Sequence, residues 1–517
     1  MSDWLVLSII VLLLGAWVLY DILQRSHAIV HNFPIVGHFR YWLEAIGPEL
    51  RQYIVTGNDE EQPFSRDQRR WVYSSAKRQN NYFGFGTDND LERSPNYMIV
   101  RHSAFPLSTV HPGQPGYDGS AQLPAAKVIG GYRQRKYAFR PRSIVNVSGM
   151  SFGALSGAAV EAMNRGAELA GCLQSTGEGG LSRHHQHGGD LIWQIGSGYF
   201  GCRDGDGHFD MQRLLDVVSA NPVRALEIKL SQGAKPATGG FLPAAKVSRE
   251  IAETRGVPYG HDCISPASHE MFHDVDSLLD WAEELATTTG LPVGIKSAVG
   301  DLQFWRDLAT QMATTNRSVD FITIDGGEGG TGAGPLVFTD HVGLPFKIAF
   351  SSVYRIFAEA GLTDRIVFIG SGKLGFPEEA LLALALGCDM VNVGREAMLA
   401  VGCIQAQRCH TNACPTGVAT QSTWRASGLN PALKSVQLAN YIVQLRSELI
   451  ALSRACGVPH PGLVDADRIA LLDAYFGTAS AMDVFRYEPG WGLPGVEDQE
   501  QIRRIMDAGI LSPGSHA

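Results

Sequence analysis

The chain has 517 residues, of which 44% are hydrophobic and 18% charged, a balance typical of globular proteins with an extensive core. Its formal net charge of −9 at pH 7 argues against nucleic acid as a partner, because nucleic acid selects basic surfaces. Eight cysteines in so long a chain exclude a small disulfide-stapled fold and indicate a reducing compartment.

An uncharged apolar run, WLVLSIIVLLLGAWVLY, occupies residues 4–20. As a helix with ~1.5 Å rise per residue it nearly crosses a hydrocarbon core of ~30 Å. Trp4 and Tyr20 lie near its ends, as in the aromatic belt of a membrane span. We predict a transmembrane anchor over residues 1–26, with a buried soluble helix as the alternative. Because Arg25 and further cationic residues follow the run, we expect a single-pass protein of the inner or cytoplasmic membrane with a cytoplasmic catalytic domain.

Residues 27–140 are predicted to form a partly helical, partly irregular arm. Its first part has apolar residues at helical spacing, among them Leu43, Ile46 and Leu50, and a later part, residues 66–87, is basic and aromatic. A basic aromatic segment can contact nucleic acid. We favour instead an arm that wraps the main domain or mediates contacts in a homo-oligomer.

Short apolar runs alternate with helix-like segments through the centre of the chain. The runs that read as buried strands are residues 143–148, 172–176, 191–196, 225–231, 292–298, 321–327, 366–372 and 390–395. Eight strand-then-helix units predict an α/β fold, a closed parallel (β/α)8 TIM barrel, which we assign to residues 141–425. Asn430 caps a long helix after it, so residues 426–517 are predicted to be a helical C-terminal extension.

Three cysteines, Cys403, Cys409 and Cys414, follow the eighth run with the spacing C-x5-C-x4-C. A structural zinc site takes four ligands, and His410, next to Cys409, points away from it. Three thiolates suit an iron–sulfur cluster that lacks one iron. The alternative is three unconnected buried thiols.

The seventh and eighth runs end in glycine-rich sequence. Gly370, Ser371 and Gly372 close the seventh run, and Gly394 and Arg395 close the eighth. Active sites of such barrels lie at these carboxyl ends, where phosphate is commonly bound. Glycine lets backbone amides approach a phosphate group and arginine adds positive charge, so a phosphate site is predicted here. Glycines that serve tight turns alone are the alternative.

Five longer motifs occur in a fixed order along the chain. They are residues 148–157 (SGMSFGALSG), 175–182 (STGEGGLS), 227–236 (EIKLSQGAKP), 325–335 (DGGEGGTGAGP) and 402–421 (GCIQAQRCHTNACPTGVATQ). Together they resemble the FMN-binding domain of the glutamate synthase family, and in particular its short, membrane-tethered branch without a glutaminase domain. The resemblance implies FMN and a 3Fe-4S cluster as cofactors.

The resemblance also implies roles for individual residues. Cys403, Cys409 and Cys414 would bind the cluster, and Glu178, Lys229 and Lys235 would be catalytic. The residues implied to bind FMN are Ser148, Gly149, Met150, Ser151, Gln232, Lys296, Asp325, Gly326, Gly370, Ser371, Gly372, Gly394 and Arg395. Surface ion pairs are the alternative role for the lysines and the glutamate.

The reaction implied by the resemblance is the reductive amination of 2-oxoglutarate to L-glutamate, by an oxidoreductase acting on CH–NH2 donors. Ammonia would be used directly or released from glutamine by a separate amidotransferase. The segment GEGGTG at residues 327–332 fits a dinucleotide pattern, but Pro335 follows at once and no helix is predicted to open there. A ferredoxin or an NAD(P)H reductase subunit is therefore the expected electron donor.

Two alternatives stay open at this point. A related FMN enzyme could act on another amino or imino acid, for example in forming an N-alkyl-glutamate. The chain could also be a membrane redox relay without turnover of its own.

Overall fold

The computed structural model describes residues 3–508 except residues 25, 52, 53, 55, 56, 58, 59, 83, 88, 92, 93, 110–113, 115, 116, 474 and 476. Arg25, on which the predicted membrane orientation depends, and the end of the tail lie outside the described residues. The chain divides into two compact units, residues 1–70 and residues 71–517.

The first unit is helical. Its helices are α1 (Asp3–Leu23), α2 (Ala28–Asn32) and α3 (Val36–Leu50), and α4 (Arg66–Ala76) follows them. By length and composition α1 could cross a membrane, and its side chains are almost all exposed. The predicted apolar helix is therefore confirmed, while its location in a membrane stays a prediction.

A buried carboxylate joins the end of α1 to the start of α3. Asp21 accepts a hydrogen bond from the backbone amide of Ile35 at 2.8 Å and lies 2.9 Å from Nε2 of His38. The other side of α3 carries apolar residues whose spacing predicted a helix here. Phe39 and Trp42 are exposed there, because periodicity marks an apolar face without showing what covers it.

The second unit contains the strands. In chain order they are β1 (Met98–Val100), β2 (Val145–Val147), β3 (Gln174–Ser175), β4 (Leu191–Ile195), β5 (Val223–Lys229), β6 (Phe241–Leu242), β7 (Cys263–Ile264), β8 (Val293–Ser297), β9 (Phe321–Asp325), β10 (Val367–Ser371), β11 (Met390–Val393), β12 (Ile469–Leu472) and β13 (Thr478–Ser480).

Eight of these strands close into a barrel in the order β10-β11-β2-β3-β4-β5-β8-β9, with parallel pairing. Each coincides with one of the predicted runs, so the (β/α)8 TIM barrel is confirmed. The strands are buried almost throughout because helices cover the outer face. Trp193, Phe321 and Phe368 are among the large side chains buried in this core, each worth about 1.5–3 kcal/mol on burial.

Helices surround the barrel and extend beyond it. They are α5 (Gly157–Ala170), α6 (Met211–Ala220), α7 (Arg249–Arg255), α8 (Val275–Thr289), α9 (Gln303–Thr314), α10 (Leu336–His341), α11 (Phe346–Glu359), α12 (Pro377–Ala385), α13 (Arg395–Ala400), α14 (Thr423–Ala426), α15 (Pro431–Ala455), α16 (Ala481–Phe485) and α17 (Val496–Asp507). Side-chain caps at Ser156 and Asp274 begin α5 and α8, which fixes where the chain turns back along the barrel.

The C-terminal extension is dominated by α15, which packs against α5. Asn430 accepts hydrogen bonds from the amides of Ala432 and Leu433, as its predicted capping role requires. Buried Arg446 donates to the carbonyl of Ala170 at 2.9 Å and so ties the helix to the barrel. The extension also contributes β12 and β13, which join β1 in an antiparallel sheet that the sequence did not predict.

An ion pair is buried at the amino end of the barrel. Nζ of Lys127 lies 3.1 Å from Oδ2 of Asp389, just before β11, and donates to the carbonyls of Thr363 and Ile366. The same carboxylate accepts from the amide of Phe368 at 2.8 Å. Each partner is hydrogen-bonded, as a buried charge needs to be.

Candidate active site

The carboxyl rim of the barrel carries a lysine–aspartate pair at the ends of β8 and β9. Nζ of Lys296 lies 3.4 Å from Oδ2 of Asp325, and both side chains are buried. The backbone amide of Gly233 donates to the same carboxylate at 2.9 Å. Burial alone would raise the pKa of Asp325, but Lys296 and the Gly233 amide outweigh it and hold the pKa below its ordinary value. Asp325 is therefore ionised at neutral pH.

A second pair lies at the ends of β3 and β5. Nζ of Lys229 lies 3.0 Å from Oε1 of Glu178 and donates to Oε1 of Gln232 at 2.7 Å. Burial would raise the pKa of Glu178, but the ammonium group of Lys229 outweighs it and holds the pKa below its ordinary value. Gln232 precedes Gly233, so the two pairs are connected through this short segment.

Lys235 completes this side of the rim. It is buried, and its Nζ donates to the carbonyl of Gly239 at 3.1 Å. Burial lowers the pKa of Lys235, and the carboxylate of Glu178 opposes that effect. The three residues predicted to be catalytic, Glu178, Lys229 and Lys235, are therefore close to one another and electrostatically coupled.

The glycine-rich ends of β10 and β11 lie on the opposite side of the same rim. Gly372 has a φ of +127°, which favours glycine, and Gly326 donates its amide to the carbonyl of Ser371 at 2.8 Å. Ser148 donates its amide to Val393 at 2.8 Å, so the end of β2 meets the end of β11. The predicted phosphate-binding segments are thus adjacent.

Arg395 and Gly149 belong to the same region. The guanidinium group of Arg395 is partly buried and donates to the carbonyl of Glu328. A Cβ at Gly149 would stand 2.9 Å from Oγ of Ser175, which is buried and has no hydrogen-bond partner among the described residues. An unsatisfied buried hydroxyl packed closely against the backbone of a glycine fits a bound polar ligand, as FMN would be.

The remaining residues predicted to bind FMN occupy neighbouring positions. Met150 and Ser151 follow β2, Gly370 lies within β10, and Gly394 caps α13 next to Ser148. Every predicted FMN residue is therefore at or next to the carboxyl end of a barrel strand, where barrel enzymes place their sites.

The cysteine loop leaves the rim after α13. Burial alone would raise the pKa of the Cys414 thiol. Hydrogen bonds, chiefly from the backbone amide of Ala419 and the hydroxyl of Thr416, outweigh burial and lower this pKa. Burial and the neighbouring Cys414 raise the pKa of Cys409. Cys403 accepts a hydrogen bond from the amide of Gln405 at 3.4 Å.

Among the described residues, no three His, Cys, Asp or Glu side chains are close enough to hold a single metal ion. A cluster binds its thiolates through different iron atoms, so its cysteines do not need to surround one point. The thiol of Cys414, whose pKa is lowered by hydrogen bonds, lies in one loop with two further cysteines that form no disulfide, and this donor set fits an iron–sulfur cluster.

Three buried residues near the site were missed by the sequence reasoning. Glu227 lies within β5 and accepts from Gln194 at 2.6 Å and from Thr323 at 2.7 Å, inside the barrel. Lys246 contacts the cysteine loop, and burial lowers its pKa to about 8 against the opposing effect of the thiols of Cys409 and Cys414. Arg255 donates to the carbonyl of Phe152. The two cations lie in the segment between β5 and β8, where no motif marks them.

A closed parallel barrel with two lysine–carboxylate pairs and glycine-rich strand ends on one rim defines a protein of the (β/α)8-barrel enzyme class. The chain belongs to the glutamate synthase family, since the model for the conserved region in glutamate synthase matches residues 126–459.

Relatives agree with this assignment. The chain is 38% identical over 481 residues to a glutamate synthase large subunit-like protein of Bacillus subtilis, covering 87% of this chain and 91% of that one. It is 36% identical to an archaeal glutamate synthase [NADPH] of Methanocaldococcus jannaschii, over 61% of this chain and 59% of that one. Among solved structures, a flavocytochrome b2 double variant with sulfite bound matches 91% of this chain and 93% of its own, with a TM-score of 0.41 and 14% identity.

Proposed function

We propose that the protein is an FMN- and iron–sulfur-dependent oxidoreductase of the class acting on CH–NH2 donors, which forms L-glutamate from 2-oxoglutarate. The observation that carries the proposal is the set of three lysines on one rim, the partly buried Lys229 and the buried Lys235 and Lys296, in a barrel of the glutamate synthase family. A dicarboxylate substrate and an anionic reduced cofactor both require positive charge at such a position.

Ammonia would condense with the 2-oxo group of 2-oxoglutarate and release water, and addition of a hydride and a proton to the resulting C=N bond would give glutamate. Bound FMN would supply the hydride. Lys229 and Lys235 would hold the substrate carboxylates as fixed positive charges. Glu178, ionised beside Lys229, would orient that ammonium group and hold ammonia in place.

The phosphate of FMN would be bound by the amides around Gly372 and Gly394 with the charge of Arg395. Lys296, held by Asp325, would place its ammonium group against the flavin ring and stabilise its anionic form. The loop after β2 and Gln232 would line the rest of the ring. Support comes from the adjacency of these strand ends and from the unsatisfied hydroxyl of Ser175 beside Gly149.

Cys403, Cys409 and Cys414 would hold a 3Fe-4S cluster as the point of electron entry. The amide-stabilised thiol of Cys414 supports this assignment. Electrons would come from a ferredoxin or an NAD(P)H reductase subunit. Nitrogen would come from free ammonia or from a separate amidotransferase.

We also propose that α1 anchors the protein in the inner or cytoplasmic membrane as a single span, with the catalytic domain in the cytoplasm. The exposed apolar surface of α1 supports this location, and α3 adds to it. Val36, Phe39, Trp42 and Leu43 are exposed at helical spacing on α3, while His38 on its other side contacts Asp21. Such a face suits the boundary between headgroups and acyl chains.

Carbonate extraction of membranes tests the anchor. We expect the full chain to stay in the membrane pellet, and Leu12→Arg, with a charge near the middle of α1, to move it to the soluble fraction. A wild-type chain that is extracted by carbonate would contradict the anchor and leave the proposed chemistry unaffected.

Anaerobic purification followed by flavin, iron and sulfide analysis tests the cofactors, and glutamate formation from 2-oxoglutarate, ammonia and a chemical reductant tests the reaction. Flavin that is bleached without any product would favour a redox relay. Turnover with a different 2-oxo acid or with an alkylamine would favour another amino or imino acid as product. Cys409→Ser is expected to remove the visible absorbance of the cluster while FMN stays bound.

A further inference from the structure

Lys246 makes an unusual set of contacts for a buried lysine. It ends a short 3-10 helix, Ala244–Lys246, in the insert between β5 and β8, and only 2% of its surface is exposed. Its Nζ donates to the carbonyls of Ala154 at 2.7 Å, Cys409 at 3.2 Å and Ala419 at 3.3 Å. An ammonium group has three donors, so these carbonyls satisfy all of them.

The three carbonyls belong to two functional loops. Ala154 lies in the loop that follows β2 and begins with the residues proposed to line the flavin. Cys409 and Ala419 stand on either side of Cys414 in the cysteine loop. The side chain of Lys246 therefore holds the cysteine loop against the loop after β2, which we call the flavin loop, through hydrogen bonds to both.

Neighbouring contacts brace the same junction. Nδ2 of Asn412 donates to the carbonyl of Ala245, beside Lys246, at 3.0 Å. Nε2 of Gln421 donates to the carbonyls of Gly153 at 3.0 Å and Leu155 at 2.7 Å. The insert, the flavin loop and the cysteine loop are thus connected pairwise, and Lys246 is the member of this set that touches both loops and carries a charge.

The ammonium group of Lys246 interacts electrostatically with the cysteine loop. The groups that act on it electrostatically are the thiols of Cys409 and Cys414, which attract it, and Arg255, which repels it. A buried ammonium group is costly without a negative partner, and the thiolates of a bound cluster would supply one.

We propose that Lys246 is a positioning residue that clamps the cluster loop to the flavin loop and holds a positive charge beside the cluster, which raises the reduction potential of the cluster. The inference rests on the cofactors proposed above. A fixed positive charge stabilises the reduced, more negative form of a buried cluster, so its removal lowers the potential.

Redox titration of the purified full-length protein, followed by EPR of the cluster, tests the inference alongside iron and FMN content. Lys246→Gln, which keeps amide donors but no charge, is expected to shift the midpoint potential to a more negative value. Lys246→Met is expected to do the same and to lose part of its iron while FMN stays bound. Lys246→Arg restores the charge and is expected to bring the potential back towards that of wild type.

Lys136→Met is the matched control, because Lys136 is an exposed lysine beside Tyr137 and should leave the potential unchanged. The role of Lys246 alone is overturned if wild-type protein binds the cluster and the Gln and Met variants keep the wild-type reduction potential and iron content. Wild-type protein that binds no iron under anaerobic conditions would overturn the proposed cofactor set, and this inference with it.

Discussion

At the amino end of the barrel, Lys127 is bonded to Asp389 and to two carbonyls, and the carboxylate receives a backbone amide as well. At the carboxyl rim, Lys296 meets Asp325 at the longer distance of 3.4 Å. Both pairs are buried and both carboxylates accept a backbone amide, but Lys127 also donates to two carbonyls at the amino end, whereas the second pair lies at the carboxyl rim, where barrel enzymes bind their ligands. The comparison separates ion pairs that hold the fold from ion pairs that can bind a ligand.

The largest effect is expected when the amino-end pair is broken. Asp389→Ala leaves the buried ammonium group of Lys127 without its carboxylate and should lower the free energy of unfolding by about 3–5 kcal/mol. Chemical denaturation measures the loss. The double variant Lys127→Met/Asp389→Leu, which removes both charges, should recover much of the stability. If Asp389→Ala unfolds like wild type, the amino-end pair does not stabilise the fold.

Stability should also depend on pH through a second residue near the amino end. Nδ1 of His460 accepts from the amide of Gly462 and Nε2 donates to the carbonyl of Pro124, so the ring is neutral, and burial lowers its pKa to about 4. The unfolded chain binds this proton near pH 6.5, so stability is complete above that pH. It should fall by on the order of 3 kcal/mol between pH 6.5 and 4.

The pH prediction is checked by denaturation of wild type and His460→Gln across that range. The variant should show a shallower loss of stability towards low pH. Equal slopes in both proteins would mean that His460 does not keep a depressed pKa in the fold.

At the rim, the effect should appear in turnover instead. Glu178→Gln removes the charge that orients Lys229 and should lower glutamate formation by about 10²-fold, a typical contribution of a positioned charged group, with little change in the thermal midpoint. Steady-state kinetics and thermal denaturation together measure this. Glu250→Gln, which alters a partly exposed pair with Arg183, is the control and should keep wild-type rates.

A smaller effect is expected from crowding the same carboxylate. A Cβ at Gly240 would stand 2.8 Å from Oε1 of Glu178 and 2.6 Å from Oγ of Ser265, so Gly240→Ala must displace one of them. We expect about a 10-fold loss of turnover, within the usual cost of overpacking. At Gly205 a Cβ meets nothing within 4 Å, so Gly205→Ala should be neutral. Equal rates in both variants would show that Glu178 is not held in place.

Much of the fold could be predicted because its signals are local. Each barrel strand is a short buried run of apolar residues. Because the eight strands of a closed barrel are parallel, their carboxyl ends all lie on one rim. That argument also brought Lys229 and Glu178 to the same rim. It could not show that they pair with each other, because pairing depends on side-chain directions in three dimensions.

The parts that were missed have physical reasons. Lys246 bonds to carbonyls, which every residue carries, so no sequence pattern marks its partners. Glu227 stands in the middle of an apolar strand and is satisfied by Gln194 and Thr323 from other strands. In α3, the period of the apolar residues predicted a helix with one apolar face, but Phe39 and Trp42 are exposed on it.

The insert between β5 and β8 has a consequence for how such a protein can diverge. Gly240, next to the carboxylate of Glu178, and Lys246, which donates to carbonyls of the cysteine loop, lie in one short stretch of the same segment. If Glu178 borders the substrate and the cysteine loop receives electrons, as proposed above, a change that reshapes this stretch for a new substrate will also shift the support of the cysteine loop. On that proposal, substrate choice and the reduction potential of the cluster would change together, and altering one without the other would require compensating changes along the same stretch.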